Sequence, residues 1–310
     1  MDVSRKLSRG PPPTCLSSLR TEVRNTQDEG AYNVAIITIT RGIQSGGREL
    51  ARRLAERLGY NCMSREVIAQ CARKYNIPEK DLYEKLMEAP GLWQRLSREH
   101  RRYLVYIQCS LIEAAKQDNV IYHGYAGQLF LRGVRHALKI RLDAPFENRV
   151  EAEMKEYGKE RREAEDYLRA ADEQRNRWVR FLYGLDWYDP SFYDLSFNLQ
   201  NISIDTVCDL VVPVVGSKEY RTTEASVNGL NNLSLECEVR AALSSDDRLW
   251  NQDVTVTASG GTVTLRGRIK SAKTRDAVVE VVSQVKGVAK CESYIGLFSD
   301  PLKGGKFGVS

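Results

Sequence analysis

Hydrophobic and polar positions follow a regular order at the start of the sequence. Residues 33–40, NVAIITIT, form a short apolar run rich in β-branched side chains, which predicts a buried strand. After a glycine-rich segment, Leu50, Leu54 and Leu58 recur every four residues among charged residues. This spacing predicts an amphipathic helix that ends at Gly59. A strand, a glycine-rich segment and a helix in this order predict an α/β phosphate-binding unit.

Similar patterns continue to about residue 215. The segment 64–117 is largely helical in pattern, and residues 147–183 predict a charge-dense helix. Apolar runs at 119–124, 137–145, 194–198 and 209–215 predict further strands. Strands that alternate with helices predict an α/β fold, in which a parallel sheet has helices on both faces.

The pattern changes after residue 215. Residues 216–232 are polar and poor in large apolar side chains, which predicts a linker. From residue 233 a helical segment precedes two period-two stretches around Gly260 and Gly261, a second helix that ends near Gly287, and a last alternating stretch. These features predict a separate small α+β domain with the order αββαβ.

The ends of the chain lack such patterns. Residues 1–31 contain three consecutive prolines and no periodicity, which predicts a disordered tail, and we expect residues 299–310 to be flexible. The predicted domains therefore span residues 32–215 and 233–298. No apolar run approaches the roughly 18–20 residues that cross a bilayer, so we expect no transmembrane segment. The start of the chain also lacks the apolar region of a secretory signal.

Composition narrows the range of functions. The 310 residues are 42% hydrophobic and 28% charged, with a net charge of +5. This mild positive charge suits anionic ligands such as nucleotides but is too small to indicate nucleic-acid binding. The seven cysteines show no Cys-x-x-Cys spacing, which predicts free, mostly buried thiols in a reducing cytoplasm. The three histidines are too scattered to predict a metal site.

The segment 40–50, TRGIQSGGREL, has the glycine spacing of a phosphate-binding loop. Its backbone N–H groups, at the start of a helix, suit phosphate oxygens. Arg48 and Glu49 stand where such loops carry a lysine and a hydroxyl residue. Arg48 supplies the positive charge of the lysine, whereas Glu49 either holds magnesium or points away as a first-turn residue. The alternative is a glycine-rich turn without a ligand.

Six segments occur in one order across residues 33–215: ITITRGIQSGGRELARRLAERLGY, SREVI, VIYHGYAG, LDAPFENRV, AADEQRNRWVRFLYG and YDLSFN. Together they resemble the cytidylate-kinase-like family of P-loop nucleoside monophosphate kinases, in the branch with a Gly-Gly-Arg-Glu loop. The resemblance implies a P-loop NTPase-like fold with ATP and Mg²⁺ as cofactors. The implied reaction is phosphoryl transfer from ATP to a nucleoside monophosphate such as CMP or dCMP.

The resemblance also implies residue roles, without assigning a metal ligand. The donor phosphates would contact Gly42, Ser45, Gly46, Gly47, Arg48 and Glu49. The acceptor side would contain Arg65, Arg149 and Asp172, the last of which would orient a lid arginine. The transferring phosphoryl group would be stabilised by Arg48, Arg175, Arg177 and Arg180. The alternative for each helical arginine is a surface ion pair with a nearby glutamate.

Two positions depart from the family pattern. Gly124-Tyr125-Ala126 stands where the family commonly has Gly-Arg-Gly, and Ser64 replaces an acidic residue that often precedes the arginine of SREVI. Losing one charge-assisted phosphate contact costs roughly 1.5–3 kcal/mol. Three hypotheses follow: an active kinase, a nucleotide-binding regulatory protein with little or no turnover, and a scaffold without a ligand.

The C-terminal pattern carries a second resemblance. LECEVRAAL, GTVTLRGRI and VKGVAKCESYI, within residues 233–298, resemble a BON domain. The resemblance implies that this domain binds a phospholipid surface or a protein partner.

Overall fold

The structure, a computed structural model, describes residues 35–87, 98–124 and 126–298. The two predicted tails, residues 1–31 and 299–310, lie outside the described residues, as does Tyr125.

The first domain is built on a parallel sheet. In the described chain its strands are β1 (Ile36–Arg41), β2 (Asn61–Met63), β3 (Val120–Tyr122), β4 (Ala137–Asp143) and β5 (Leu195–Asn198). Their order in the sheet is β2-β3-β1-β4-β5, and each neighbouring pair is parallel. The strands predicted within 33–40, 119–124, 137–145 and 194–198 are confirmed. The short strand β2 was not predicted, because its three residues are too few to show a period.

Helices cover both faces of this sheet. They are α1 (Gly47–Leu58), α2 (Glu66–Tyr75), α3 (Glu79–Met87), α4 (Arg98–Ala115), α5 (Gly127–Phe130), α6 (Phe146–Tyr157), α7 (Arg161–Tyr183) and α8 (Ile204–Val215). One apolar core joins the sheet to α2, α3 and α4, and a second joins its opposite face to α1 and α8. The predicted fold class, a P-loop NTPase-like parallel sheet with helices on both faces, is confirmed.

Helix α8 corrects one prediction. Residues 209–215, DLVVPVV, were predicted to form a strand but are the second half of α8. The helix begins after Ser203, whose side chain accepts a hydrogen bond from the backbone N–H of Thr206. Val207, Val211 and Val215 are buried at four-residue intervals, so the apolar run forms one face of a helix. Pro213 lies in the last turn.

The second domain has the predicted αββαβ order. It contains α9 (Glu224–Ser245), β6 (Val254–Ser259), β7 (Thr262–Ile269), α10 (Ala272–Ser283) and β8 (Lys290–Leu297). β7 pairs antiparallel with β6 and parallel with β8. Its apolar core lies between the sheet and the two helices and includes Val239, Val263, Leu265 and Val278.

The predicted linker is helical over much of its length. Residues 218–220 form a 3₁₀ turn, and α9 begins at Glu224 with Thr223 as its capping residue. Leu230, in the predicted linker, is buried in the core of the first domain, as is Cys237 further along α9. α9 therefore contacts both cores. Its first two turns were not predicted to be helical, because they contain too few apolar residues to show a helical period.

One pair of cysteines contradicts the prediction of free thiols. Cys109 on α4 and Cys237 on α9 form a disulfide with a Cα–Cα distance of 5.5 Å. Nearby, the hydroxyls of Tyr106 and Ser245 lie 2.6 Å apart. This pairing could not be predicted, because the two cysteines are 128 residues apart and only the fold brings α4 against α9.

Among the residues that the structure describes, no helix combines the length and apolar character needed to cross a membrane.

Candidate functional site

A cavity of about 460 Å³ opens where β1 and β3 end and α1 begins. Its volume lies within the usual range for small-molecule sites. Parallel sheets bind ligands at the carboxyl ends of their strands, which is where this cavity lies. Its walls are formed by the glycine loop, the start of α2, the segment after β3, and parts of α6 and α7.

The glycine loop depends on two glycines in different ways. Gly46 has φ 78°, a left-handed conformation that favours glycine, and precedes the first residue of α1. Gly47 leaves room for the side chain of Arg41, which a Cβ atom at this position would overlap. The hydroxyl of Ser45 is buried and donates to the carbonyl oxygen of Gly42 at 2.9 Å. Gly46 and Gly47 line the cavity, whereas Gly42 and Ser45 support the loop from behind.

Gln44 holds the middle of the loop against α6. Its φ of 59° is left-handed, which is uncommon for a residue other than glycine. Its side-chain nitrogen donates to Glu153 at 3.0 Å and to Glu156 at 2.9 Å. These two hydrogen bonds offset part of the cost of the unfavourable backbone conformation.

Arg149 lies behind the loop rather than in the cavity. Its guanidinium donates to both carboxylate oxygens of Asp172, at 2.8 and 3.0 Å, and to the carbonyl oxygen of Ile43 at 2.7 Å. A Cβ atom on Gly42 would lie 3.0 Å from the guanidinium carbon. The sequence predicted that Arg149 binds substrate and that Asp172 orients a lid arginine. In the structure the two residues pair with each other and position the loop.

The Asp172→Asn variant is expected to bind a nonhydrolysable ATP analogue about three- to tenfold more weakly than the wild type. The amide keeps the shape of the carboxylate but removes one charge-assisted hydrogen bond to Arg149, worth about 1.5–3 kcal/mol. Because Arg149 acts on the nucleotide only through the loop, part of this loss is expected to appear as weaker binding. Isothermal titration calorimetry measures the change. Asp166→Asn, at an exposed position on the same helix, is the matched control. Equal affinities for the two variants would show that the pair does not position the loop.

Five arginines from four elements line the cavity: Arg41 at the end of β1, Arg48 and Arg52 on α1, Arg65 at the start of α2, and Arg175 on α7. Arg52 is paired with Glu49 and Glu56 of its own helix. Arg48 and Arg65 are exposed and form no salt bridge with another described residue. Arg175 donates to the carbonyl oxygen of Arg41 at 2.9 Å. Cations gathered in this way, next to a helix N-terminus, favour an anionic ligand.

Sequence reasoning missed Arg41, although it directly precedes the glycine loop. Burial, together with the nearby charges of Arg175 and Arg48, lowers the pKa of its guanidinium to about 10. Its Nε atom is buried and has no hydrogen-bond partner among the described residues. Its position at the carboxyl end of the central strand is the feature of the sequence from which a role in the cavity could have been predicted. His123, after β3, also lines the cavity and was also missed.

Two predicted catalytic residues do not line the cavity. Arg177 lies 3.6 Å from Glu173, and Arg180 lies 2.7 Å from Asp186. Arg175 does reach the cavity, and a helix turns by about 100° per residue. Arg177 and Arg180 therefore project about 160° and 140° away from the direction of Arg175. The surface ion pairs named as the alternative describe these two arginines better than a role in the lid.

Glu49 lies at the edge of the cavity, but its carboxylate is bonded to arginines of its own helix. Arg52 and Arg53 approach it at 2.7 and 2.6 Å. Their hydrogen bonds lower the pKa of Glu49 to about 2. These bonds favour the interpretation of Glu49 as a first-turn helix residue over that of a magnesium ligand.

Other carboxylates near the loop are also paired with arginines, Asp143 with Arg141 and Asp172 with Arg149. Over the described parts of the chain, no group of three or more histidine, cysteine, aspartate or glutamate residues is arranged to hold a metal ion. The donor set thus fits a polyphosphate, and a magnesium ion bound with it would take most of its ligands from phosphate oxygens and water.

Ser64 and the neighbours of Tyr125, the two positions that depart from the family pattern, lie at this cavity for the part that the structure describes. Ser64 lines it, and its backbone N–H donates to the carboxylate of Glu66 at 2.6 Å. Gly124 and Ala126 line it on either side of Tyr125, which the structure does not describe. The residues on either side of the position that lacks the expected arginine are therefore part of the cavity wall.

Comparison with known proteins agrees with this geometry. Residues 36–201 match the cytidylate kinase-like family, and residues 232–295 match the BON domain. The cytidylate kinase of Thermococcus kodakarensis is 30% identical over 179 residues, which cover 57% of this chain and 85% of that protein. The cytidylate kinase of Pyrococcus furiosus is 30% identical with the same coverage. A shikimate kinase structure from Acinetobacter baumannii aligns with a TM-score of 0.39 at 14% identity, over 59% of this chain and 94% of that one. The chain belongs to the cytidylate kinase-like family and carries a BON domain after the kinase-like domain.

Proposed function

We propose that this protein transfers a phosphoryl group from ATP to a nucleoside monophosphate. The observation that carries the proposal is the presence of arginines from four elements, Arg41, Arg48, Arg65 and Arg175, around one cavity at the glycine loop. Phosphoryl transfer requires positioned reactants and neutralised phosphate charge rather than covalent catalysis by the protein. Arginines from four separate elements meet both requirements.

The positions of these residues suggest how the cavity is divided. Gly46, Gly47 and Arg48, at the start of α1, would contact the phosphates of the donor. Arg65 at the start of α2 would contact the phosphate of the acceptor. Arg41 and Arg175 would stabilise charge on the group in transit, and the hydrogen bond from the Arg175 guanidinium to the backbone carbonyl oxygen of Arg41 holds the two residues side by side. ATP supplies the phosphoryl group, and Mg²⁺ neutralises part of the charge on its oxygens.

CMP and dCMP are the proposed acceptors, since the two relatives described above are named cytidylate kinases. The test incubates the purified full-length protein with ATP, Mg²⁺ and each nucleoside monophosphate in turn, and measures ADP. We expect CMP or dCMP to give the highest rate. A rate no higher than that with ATP alone, for every acceptor, would contradict kinase activity.

A second candidate function is nucleotide binding without turnover, with the BON domain as the output. Tyr125 favours it, because this residue replaces an arginine that the family resemblance predicts at the cavity wall. Measurable binding of ATP or CMP, together with no ADP above background, would support this regulatory function over the kinase.

The partner of the BON domain stays a prediction. A phospholipid surface is tested by co-sedimentation of the full-length protein with vesicles that contain anionic phospholipid. We expect more protein in the pellet with anionic vesicles than with uncharged ones. Equal recovery from the two preparations would favour a protein partner instead.

A further inference from the structure

His123 has a buried ring nitrogen without a partner at the wall of the cavity. The residue follows β3, lines the cavity, and is 7% exposed. Its Nδ1 atom makes no hydrogen bond with any described residue. Most buried polar atoms in proteins are hydrogen-bonded, because an unpaired one loses its contacts with water and gains none in return. An unpaired nitrogen beside a ligand cavity therefore points to a role when the cavity is filled.

The charges around His123 come from three other elements. Arg41 on β1 and Arg48 on α1 are the cations that act on it, and Glu66 on α2 is the anion. Burial, together with the charges of Arg41 and Arg48, lowers the pKa of His123 to about 4, although Glu66 acts in the opposite direction. Near neutral pH the imidazole in the empty cavity is therefore uncharged.

A phosphate group in the cavity would reverse this balance. The dianion would lie close to the same arginines and would offset their repulsion of a positive imidazole. We propose that His123 is a phosphate-contacting residue whose ring takes up a proton from solvent when the phosphate of the acceptor nucleotide binds beside it. The inference rests on the proposed function for the place of that phosphate.

In this role His123 contributes a positive charge to the cavity that is present only at low enough pH. His123 lies two residues before Tyr125, where the family resemblance predicts an arginine. A protonated His123 would supply a positive charge in the same segment, but only when an anion is bound and the pH is low enough. Binding of the acceptor would thus become tighter as the pH falls.

Lower pH is expected to strengthen binding of the acceptor but to weaken the folding stability of the empty protein. The unfolded chain binds a proton at His123 below about pH 6.5, whereas the folded protein does so only below about pH 4. Stability from this residue therefore falls as the pH decreases between these values. A bound phosphate would restore the proton and remove this loss.

NMR titration of the histidine side chains tests the proposal directly. The full-length protein is titrated with acid in three states: empty, with CMP, and with cytidine, which lacks the phosphate. The His123→Asn variant assigns the signal of His123. We expect CMP to raise the pKa of His123 towards its ordinary value of about 6.5 and cytidine to leave it unchanged. His136, buried beside Asp118 and outside the cavity lining, is the internal control.

The variant provides a second measurement. If CMP restores the ordinary pKa, the wild type gains about tenfold in affinity for CMP over His123→Asn between pH 7.5 and pH 5.5. Protonation of CMP itself is the same for both proteins, so the ratio of their dissociation constants isolates His123. A ratio that does not change with pH, or a His123 signal unaffected by bound CMP, would overturn the inference.

The outcomes separate this inference from the proposed function. A raised pKa of His123 with bound CMP but no ADP production would support the contact and contradict the kinase. ADP production with an unchanged pKa of His123 would support the kinase and contradict the contact between His123 and the phosphate. If CMP does not bind at all, both the acceptor assignment and the inference are wrong.

Discussion

Replacing Arg48 by alanine is expected to lower kcat/KM for phosphoryl transfer by one to two orders of magnitude. Arg48 is exposed to the cavity in the first turn of α1 and forms no salt bridge in the described part of the chain, so its charge is available to a ligand. One charge-assisted contact to phosphate is worth about 1.5–3 kcal/mol, which corresponds to this change in rate. The affinity for a nonhydrolysable ATP analogue is expected to fall as well, and calorimetry measures it independently of turnover.

Arg57→Ala is the matched control for Arg48→Ala. Arg57 lies nine residues further along the same helix and bonds to Asp209 at 2.6 Å and to Asp205 at 3.2 Å. It does not line the cavity and its ion pairs are exposed, so its removal is expected to change stability little and to leave nucleotide affinity unaltered. If both variants bind the ATP analogue as the wild type does, the assignment of the glycine loop to a donor phosphate is wrong.

The sheet and the glycine loop could be predicted because their signals are local. The apolar run before Arg41 and the leucine spacing after it indicate a strand and a helix without knowledge of the rest of the chain. Gly46 and Gly47 then identify the connection as a turn that brings backbone N–H groups together. In this part of the molecule the structure confirms the predicted elements and their order.

The partners of the arginines could not be predicted in the same way. The residue types alone do not distinguish Arg175, which lines the cavity, from Arg177 and Arg180, which pair with acidic residues. Helix rotation and the position of α7 decide this difference. Arg149 likewise requires the contact between α6 and α7 to bring Asp172 within reach.

Helices α8 and α9 show a second limit of the sequence. The β-branched residues of α8 favour a strand by propensity, but burial against α1 and the sheet selects a helix. In α9, Leu230 faces one core and Val239 the other. A helix with apolar residues on two sides lacks the single periodic stripe by which a surface helix is recognised.

The disulfide lies where α9 packs against the first domain, and we expect it to stabilise the folded protein. Cys109 on α4 is 3% exposed and Cys237 on α9 is fully buried, so the bond joins two elements inside the shared core. It closes a loop with a sequence separation of 128 residues. A covalent link across so long a segment restricts the unfolded chain and typically stabilises a protein by about 2–4 kcal/mol.

The double variant Cys109→Ala/Cys237→Ala is therefore expected to lose about 2–4 kcal/mol of unfolding free energy, measured by urea denaturation without reductant. Part of any loss comes from the removed sulfur atoms rather than from the bond. Cys71→Ala/Cys208→Ala controls for that part, because both residues are buried free thiols.

The difference in unfolding free energy between the two double variants measures the contribution of the disulfide. Urea denaturation of the wild type in the presence of a dithiol should show a loss of stability equal to this difference, because the dithiol breaks the disulfide and leaves all side chains in place. If the two double variants lose equal stability, the disulfide contributes nothing beyond packing, and α9 is held to the first domain by its apolar contacts alone.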